Sequence, residues 1–347
     1  MTIPSELVGS LPRTTELVSM WDGSEGAAVV VQAVRDTVQM LEKLGSRVVS
    51  DGEQTKADAW TYPVTGADNV AVGDGVVIPY ADGHQRQLPR LTAGPFRIRN
   101  HAADYLRAAQ KHATVPVKQA VVAPSTLSLL YPPDGLSGYP REDFVDDVLN
   151  ETEADIRACL AAGAHVVQID FPEARLSVKL DPSGGLLRDF VDLNNRLLSR
   201  FDDADRARIG IHCDPGADQD ATHSLDVDYA EVLPSLFRLE AGNFYLQMAS
   251  ESDPDRVLRI VAEQMRSEGR IFVGVVDPID PRVESPEEVR DRVLNAARHI
   301  PLDRLGTCDD AGFAPYADDR SKSRDTAFAK IRARIEGTAL AVAALGG

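Results

Sequence analysis

Cysteine is scarce in this chain, which has only three among its 347 residues, namely Cys159, Cys213 and Cys308. An odd and widely spaced set of thiols does not build a framework of disulfides and is typical of a reducing compartment. We therefore expect a cytoplasmic protein. The length allows one barrel of roughly 250 residues with insertions, or two domains of average size.

Long apolar runs and an excess of basic charge are also absent from the sequence. No run approaches the roughly 20 apolar residues of a membrane-spanning helix, and residues 1–16 show neither the basic nor the apolar region of a signal peptide. The formal net charge of −17 disfavours binding to nucleic acid or to an anionic membrane surface. A small-molecule substrate is therefore the expected partner, and the sequence leaves the oligomeric state open.

The sequence does contain short apolar segments that alternate with long amphipathic ones. The apolar segments are rich in Val, Ile and Leu, as is typical of parallel strands covered on both faces. We predict eight strands, at residues 6–10, 47–51, 117–123, 165–170, 208–212, 243–248, 270–276 and 303–307. Apolar residues at helical spacing predict helices at residues 27–44, 142–162, 186–201, 229–239, 255–267, 287–299 and 323–344.

Eight strands that each lead to a helix predict an α/β fold of the closed (β/α)8 TIM-barrel type, with an open doubly wound sheet as the alternative. Residues 54–100 interrupt the alternation with a loop-like region that includes the letters VAVGDGVVIPYADG. We interpret this region as an insertion after the second strand, a hairpin that covers the barrel mouth as a lid or as a structural flap. Residues 1–347 are thus predicted to form one domain that contains this insertion.

Functional residues of TIM barrels lie at the carboxyl ends of the strands. After the fifth predicted strand, the segment IGIHCDPG brings together three residues of metal-binding type, His212, Cys213 and Asp214. Successive strand residues point to opposite faces, so His212 could converge with Asp214, or with Cys308 from the last strand, more easily than with Cys213. In the alternative interpretation, His212 forms hydrogen bonds in the barrel mouth and Cys213 is a small buried hydrophobic residue.

Acidic residues end two further strands. Glu53 follows the second strand and Asp170 ends the fourth, where each could bind a substrate ammonium group or act as a general acid or base. Alternatively, these acids cap helices or form salt bridges in loops. Glu173 and Arg175, in the sequence FPEAR, are either partners in such a salt bridge or part of the site. His223 lies either near the mouth or in a helix-capping environment.

Five motifs occur in an order that resembles the catalytic barrel of cobalamin-independent methionine synthases. They are VGSLPR near the start, DGEQ after the second strand, QID-x-PE at the fourth, the histidine loop of the fifth and GT-x-DD-x-GF near the end. Residues 168–195 and 218–237 are similar to a shorter branch that includes epoxyalkane:coenzyme M transferase. The resemblance covers essentially the whole chain. It implies a TIM-barrel enzyme that transfers a methyl or alkyl group to sulfur.

The resemblance also implies roles for particular residues. Family members use a zinc ion to convert the acceptor thiol to a thiolate. Val8, Gly9 and Ser10 match the segment that holds the amino acid thiol, and Glu53 and Asp170 match acids that bind its amino group and backbone. His212 matches the first zinc ligand. The matched motifs supply the remaining candidates for substrate binding, which are Gln168, Glu173, Arg175 and Asp310.

Both zinc thiolates of the family are displaced in this chain. The fifth-strand motif H-x-C becomes His212, Cys213 and Asp214, while Ala311 stands at the second cysteine position and Cys308 lies three residues earlier. In one interpretation, Cys308 and either Cys213 or Asp214 rebuild a zinc site with His212. In the other, zinc has been lost and the acids act with His212. Zinc is therefore a possible cofactor, and use of a folate is not established.

The sequence therefore predicts an enzyme that acts on a small polar metabolite, with sulfur-containing metabolites as the first candidates. The reaction would be methyl or alkyl transfer to or from a thiol, or a related C–S lyase step. His212, Asp170 and Glu53 are the predicted catalytic residues. The alternatives are a metal-free lyase or decarboxylase on the same barrel, and a catalytically inactive paralogue that binds a ligand.

Overall fold

The computed structural model describes residues 2–20 and 26–346, and its central feature is a parallel sheet of six strands. The strands of the chain are β1 (Val70–Ala71), β2 (Val77–Pro79), β3 (Gln85–Gln87), β4 (Arg90–Leu91), β5 (Gln119–Val122), β6 (Val167–Asp170), β7 (Ile209–Cys213), β8 (Ala217–Asp218), β9 (Ala221–Thr222), β10 (Asn243–Leu246), β11 (Arg270–Val276) and β12 (Leu305–Asp309). Strands β5, β6, β7, β10, β11 and β12 are neighbours in this order and are all parallel.

Helices follow the strands of this sheet and cover its outer face. They are α1 (Thr15–Met20), α2 (Ala27–Lys43), α3 (Ala102–Gln110), α4 (Pro124–Ser128), α5 (Arg141–Ala161), α6 (Glu173–Leu180), α7 (Gly185–Leu198), α8 (Asp203–Arg206), α9 (Tyr229–Leu236), α10 (Pro254–Gln264), α11 (Pro286–Ala296) and α12 (Arg324–Ala344). Several begin at a side chain that accepts a backbone N–H of the first turn, which fixes where the loop ends. Asp253, Ser285 and Ser323 do so at α10, α11 and α12. Among the described helices, none is long and apolar enough to cross a membrane.

Two irregular segments close the sheet into a barrel. Ser5 bridges Thr307 of β12, and Val49 bridges Val117 just before β5, both in parallel orientation. The two segments meet each other where the N–H of Leu11 donates to the carbonyl of Gly52 at 3.0 Å. The six strands and these two segments make eight positions around a closed ring. The predicted α/β TIM barrel is therefore confirmed, and the alternative of an open sheet is wrong.

The first two predicted strands, at residues 6–10 and 47–51, are reduced to single bridges. Pro4 has no N–H to donate to a ladder. Gly52 and Glu53 both have positive φ, at 66° and 54°, which ends the extended conformation immediately after the second segment. The chain therefore leaves the barrel wall early at both places, and both segments turn into its mouth.

The insertion at residues 54–100 contains a short 3-10 helix, Tyr62–Val64, and two antiparallel strand pairs. The pair β2–β3 forms a hairpin that packs on loops at the carboxyl end of the barrel. Its end at Ala81 donates a backbone hydrogen bond to Thr222. The Tyr80 hydroxyl lies 3.4 Å from that of Tyr316. The hairpin therefore stands beside the barrel mouth.

Alternation along β12 shows which side chains face the barrel interior. Thr307 hydrogen-bonds Thr338 at 2.9 Å, and Asp309 forms an ion pair with Arg334 at 2.6 Å, so both face α12. Cys308 lies between them and therefore points into the barrel. It packs there with Val166, Tyr245 and Phe272.

Candidate functional site

A pocket of about 490 Å³ opens at the carboxyl ends of the barrel strands. Seven of the residues predicted from the sequence line it, and they are Val8, Gly9, Ser10, Glu53, Asp170, His212 and Asp214. They come from the first two segments, from β6, and from β7 with the loop that follows it. The pocket therefore lies at the end of the barrel that the strand-end rule indicates.

His212 lies between two carboxylates at the floor of this pocket. Its Nδ1 is 3.3 Å from Oδ1 of Asp170, and its Nε2 is 3.6 Å from Oδ2 of Asp214. Burial opposes a charge on the ring, but the hydrogen bond to Asp170 and the negative charges of Asp214 and Asp170 outweigh it and raise the pKa of His212. Burial also raises the pKa of Asp214, and the charge on His212 opposes that rise. The arrangement can take up a proton and stabilise the cation that results.

Gln168 holds Asp170 in position. Its amide nitrogen donates to Oδ1 of Asp170 at 2.7 Å and to the carbonyl of Val8 at 3.1 Å. Gln168 is fully buried and does not line the pocket. It was predicted to bind substrate, but the structure shows it as a support that orients an acid.

Glu53 enters the pocket from a strained turn. A positive φ at a residue other than glycine is unfavourable in free energy, and it persists only where surrounding contacts stabilise it. Here the ammonium group of Lys56 donates to Oε1 of Glu53 at 2.9 Å, and both side chains are buried. Burial raises the pKa of Glu53, and the charge on Lys56 opposes that rise. The acid is therefore held rigidly at the edge of the pocket.

Gly9 and Ser10 link the first segment to two other loops. The carbonyl of Gly9 accepts from the Ser50 hydroxyl at 3.3 Å. The hydroxyl of Ser10 accepts from the N–H of Ala314 at 3.3 Å, and its carbonyl accepts from the N–H of Phe313 at 2.9 Å. Ser10 therefore lines the pocket while it anchors the loop that follows β12.

Glu173 and Arg175, predicted to bind substrate, lie outside the pocket. Glu173 begins α6, and its carboxyl group accepts from the Thr126 hydroxyl at 2.6 Å. Burial raises the pKa of Glu173 to about 7, against hydrogen bonds from Ser125 and Thr126 that lower it. The guanidinium of Arg175 contacts Glu251 at 2.9 Å and also bonds Gln247 and the carbonyls of Leu225 and Val227. Because α6 starts so soon after β6, both side chains turn towards neighbouring helices and loops.

Asp310 also differs from its predicted role. Its carboxyl group accepts backbone N–H groups of Met248, Ala249 and Ser250, each at 2.8 Å. Burial raises the pKa of Asp310 to about 7, and the neighbouring Asp277 adds to that rise. Only the backbone carbonyl of Asp310 approaches the pocket, 3.5 Å from Nε2 of His212. The side chain therefore fixes the loop after β10 and does not line the pocket.

The structure does not bring Cys213 or Cys308 to the pocket. Cys213 shares the outer face of β7 with Ile209 and Ile211, opposite to His212. Burial raises the pKa of the Cys213 thiol, and the charge on Asp214 adds to that rise. Cys308 faces the barrel interior, where its thiol donates to the carbonyl of Phe272 at 3.6 Å, and burial raises its pKa as well. Both cysteines are thus structural residues in the described conformation.

The side chains of the pocket do not supply a ligand set for zinc. A catalytic zinc ion needs three protein ligands arranged around an open position. With the two cysteines outside the pocket, the predicted zinc ligands that remain are His212 and Asp214, and the carboxylate of Asp214 faces Nε2 of His212. Within residues 2–20 and 26–346, no group of three or more His, Cys, Asp or Glu side chains is arranged to hold a metal ion. A zinc site rebuilt around His212 would therefore lack thiolate ligands from Cys213 and Cys308.

Two residues that sequence reasoning missed, Trp60 and Lys56, contribute to the site. Trp60 lines the pocket from the insertion, where no motif points to it. Lys56 supports Glu53, and its spacing of three residues was a signal that could have been used. His223 lies behind the pocket wall, edge-on to Trp60 at 5.8 Å between ring centroids. An ideal Cβ added at Gly216 would lie 1.8 Å from Nε2 of His223. At this point Gly216, which lines the pocket, is in close contact with the His223 ring.

A closed barrel with acids and a histidine at the carboxyl ends of its strands has the fold and the site of a TIM-barrel enzyme. The sequence profile of the family described as "Cobalamin-independent synthase, Catalytic domain" matches residues 4–332. The chain therefore belongs to this family, and the family resemblance seen in the sequence is confirmed.

Two curated relatives are 5-methyltetrahydropteroyltriglutamate–homocysteine methyltransferases. The protein from Erwinia tasmaniensis is 25% identical over 322 residues, which cover 89% of this chain and 40% of that protein. The protein from Klebsiella pneumoniae subsp. pneumoniae is 25% identical over 320 residues, with the same coverage. The chain thus spans about 40% of the length of the relatives it matches.

Solved structures show the same fold. A B12-independent methionine synthase from Shewanella sp. W3-18-1, in complex with selenomethionine, superimposes with a TM-score of 0.78 at 19% identity, over 99% of both chains. A methyltransferase from Methanosarcina mazei gives a TM-score of 0.53 at 12% identity, over 98% of this chain and 94% of that one. At these identities the likeness concerns the fold.

Proposed function

We propose that this protein is a methyl- or alkyltransferase whose acceptor is a small thiol that also carries an ammonium group. Membership of the family and the activity named for the two methyltransferase relatives support transfer to sulfur. The observation that carries the proposal is the composition of the pocket. His212 stands there between Asp170 and Asp214, with Glu53 on the same wall.

The charge of the pocket favours a cationic acceptor. Glu53, Asp170 and Asp214 line it, and none of the described lining residues is a lysine or an arginine. Buried carboxylates attract an ammonium group strongly and repel an acceptor that ends in an anion. An amino thiol therefore suits this pocket better than a thiol that ends in a sulfonate, although two stretches of the sequence resemble the coenzyme M branch.

The geometry around His212 supplies a place for the thiol proton. A carboxylate only accepts hydrogen bonds, so in the neutral ring Nδ1–H faces Asp170 and Nε2 carries the lone pair. Oδ2 of Asp214 and the carbonyl of Asp310 lie 3.6 Å and 3.5 Å from Nε2, where both favour the protonated ring. The thiol S–H proton moves to Nε2, and the sulfur attacks the donor carbon. The new S–C bond forms as the bond from that carbon to the donor breaks, and its electron pair leaves with the donor. Asp170 and Asp214 stabilise the imidazolium that results.

A panel of thiols tests this function. Homocysteine and cysteamine carry ammonium groups, whereas 2-mercaptoethanesulfonate and 3-mercaptopropionate end in anions and serve as matched controls. Binding would be measured by calorimetry. Methylated or alkylated product would be measured by mass spectrometry with 5-methyltetrahydrofolate polyglutamate, methylcobalamin or an epoxide as the donor. We expect binding and conversion of the amino thiols only.

The outcomes of this panel separate the alternatives. Preference for the anionic thiols would contradict the proposed acceptor and favour the coenzyme M branch. Binding of amino thiols without conversion by any donor would favour an inactive paralogue. Release of a small fragment from a thioether or a carboxylic acid, with no acceptor present, would favour a lyase or a decarboxylase.

A further inference from the structure

Lys56 is a fully buried cation that no motif of the sequence assigns to the site. It lies one turn beyond Glu53, at the start of the insertion, and its side chain is only 1% exposed. The side chain does not line the pocket. A buried ammonium group is costly unless each of its three donors finds a partner, so the surroundings of Lys56 show what it does.

The partners of Lys56 account for all three of its donors. The ammonium nitrogen donates to Oε1 of Glu53 at 2.9 Å and to the carbonyl of Ala120 at 3.1 Å. It also lies 4.2 Å from the centre of the Tyr62 ring, which is a favourable cation–π distance. Because the side chain is buried and does not line the pocket, Lys56 acts through Glu53.

The contact leaves one oxygen of Glu53 available. Oε1 is occupied by Lys56, whereas the hydrogen bonds of the described residues leave Oε2 without a donor. Glu53 lines the pocket, and its backbone is held at positive φ with its carbonyl bonded to Arg13 at 2.8 Å. We infer that Lys56 is a positioning residue, which holds the Glu53 carboxylate in place and favours its ionised form, so that Oε2 receives the cationic end of the substrate.

The surroundings of Glu53 disfavour its charged form, and Lys56 supplies the opposite charge. Burial is the largest influence on Glu53 and raises its pKa, and the neighbouring carboxylates of Asp170 and Asp51 raise it further. Lys56 opposes them. The charged or titratable groups that face Glu53 are Lys56, Asp51, Asp170, Arg13 and Tyr62. Among these, Lys56 alone bonds the carboxylate itself, so its loss should raise the pKa of Glu53 further.

The inference about the substrate rests on the proposed function, but its first test needs no substrate. The carboxyl carbon of Glu53 would be followed by NMR across pH in protein labelled with 13C-glutamate, with assignment from Glu53→Gln. In Lys56→Met we expect the pKa of Glu53 to rise by about 1 to 3, the effect of one opposite charge at contact distance. An unchanged titration would overturn the inference.

A matched control separates this effect from the loss of any buried lysine. Lys330 forms an equally short buried ion pair with Glu284, also at 2.9 Å, outside the pocket. Lys330→Met should leave the titration of Glu53 unchanged. If Lys56→Met does not fold, Lys56→Gln keeps a donor but lacks the charge, and the same rise is expected. Lys56→Arg keeps the charge and should restore the original titration.

Binding across pH completes the test. In Lys56→Met the affinity for an amino thiol should fall at neutral pH and recover at higher pH, where Glu53 ionises again. If the titration moves as expected but the wild-type protein binds no amino thiol, the proposed function fails and the electrostatic role of Lys56 stands. If the wild-type protein binds an amino thiol and the variant binds it with the same pH profile, the inference fails alone.

Discussion

Asp170 and His212 are register partners in the parallel pair β6–β7, and Oδ1 of Asp170 lies 3.3 Å from Nδ1 of His212. The two strands therefore bring the acid and the imidazole together by their alignment alone. The contact fixes which ring nitrogen faces Asp170, so that Nε2 faces Asp214. A pair set by strand register is rigid, as a group that transfers protons needs to be.

Replacement of His212 tests its role as the acceptor of the thiol proton. In His212→Asn we expect kcat to fall by roughly 10²- to 10⁴-fold, the usual contribution of a general base, with little change in thiol affinity. Turnover and calorimetric binding would be measured with the amino thiol selected by the panel. His165→Asn, on a half-exposed histidine at the amino end of β6, is the control. An unchanged kcat in His212→Asn would contradict the mechanism.

The metal content of the purified protein tests whether the pocket binds zinc. We expect little zinc in the wild-type protein, because the described residues hold no group of three or more His, Cys, Asp or Glu side chains arranged for a metal ion. The double variant Asp214→Cys, Ala311→Cys should bind zinc near one equivalent, since the carbonyl of Asp310 already lies 3.5 Å from Nε2 of His212. Elemental analysis measures both proteins, with Cys213→Ser as the control. Near-stoichiometric zinc in the wild type, lost in His212→Ala, would contradict this expectation.

Much of the barrel could be predicted because its strands are buried on both faces. The predicted segment 270–276 agrees with β11, and the predicted 208–212 is one residue out of step with β7. The same apolar pattern did not predict that the first two strands are reduced to single bridges. Their apolar residues follow the same pattern, but the positive φ of Glu53, which ends the second segment, depends on tertiary structure and has no signal in that pattern.

The site was predictable in position but not in the direction of its side chains. His212, Asp170 and Glu53, which the strand-end rule singles out, all line the same pocket. The rule could not show that Asp310 turns its carboxyl group to the loop after β10, because a loop residue has no fixed period. Nor could it reveal that α6 begins at Glu173 and carries that side chain away from the pocket.

Gly337→Ala tests how closely α11 and α12 pack. In an exposed helix this change would stabilise by about 1 kcal/mol through helix propensity. Here the new Cβ would lie 2.4 Å from Cβ of Val289 and 2.6 Å from the carbonyl of Pro286. We expect a net loss of about 1 to 3 kcal/mol in the free energy of unfolding, measured with urea. Glu336→Ala, exposed on the same helix, should change it by less than about 0.5 kcal/mol, and a stabilised Gly337→Ala would refute the close packing.

His223 should make the fold sensitive to acid. Burial, with the charges of Lys179 and Arg175, lowers the pKa of His223 from 6.5 to about 3. The unfolded chain therefore binds a proton at higher pH than the folded one, so stability is full above the unfolded pKa and falls as the pH drops towards about 3. The slope from this residue reaches about 1.4 kcal/mol per pH unit.

The comparison for His223 uses unfolding free energies from urea denaturation at several pH values. His223→Gln should flatten the dependence between about pH 6.5 and pH 4, whereas His101→Gln, on an exposed histidine, should leave it unchanged. Equal slopes in the wild type and His223→Gln would show that other groups set the acid limit.

The guanidinium of Arg86, on β3, is shared between Asp218 after β7 and Asp318 after β12, and both contacts are bidentate. The hairpin β2–β3 thereby ties together two loops at the barrel mouth. Asp218 is buried, but Asp318 is exposed, and dissolved salt weakens an ion pair at the surface more than a buried one. Rising ionic strength should therefore weaken the contact between the hairpin and the loop after β12, and the same salt should slow the capture of a cationic substrate by the acidic pocket.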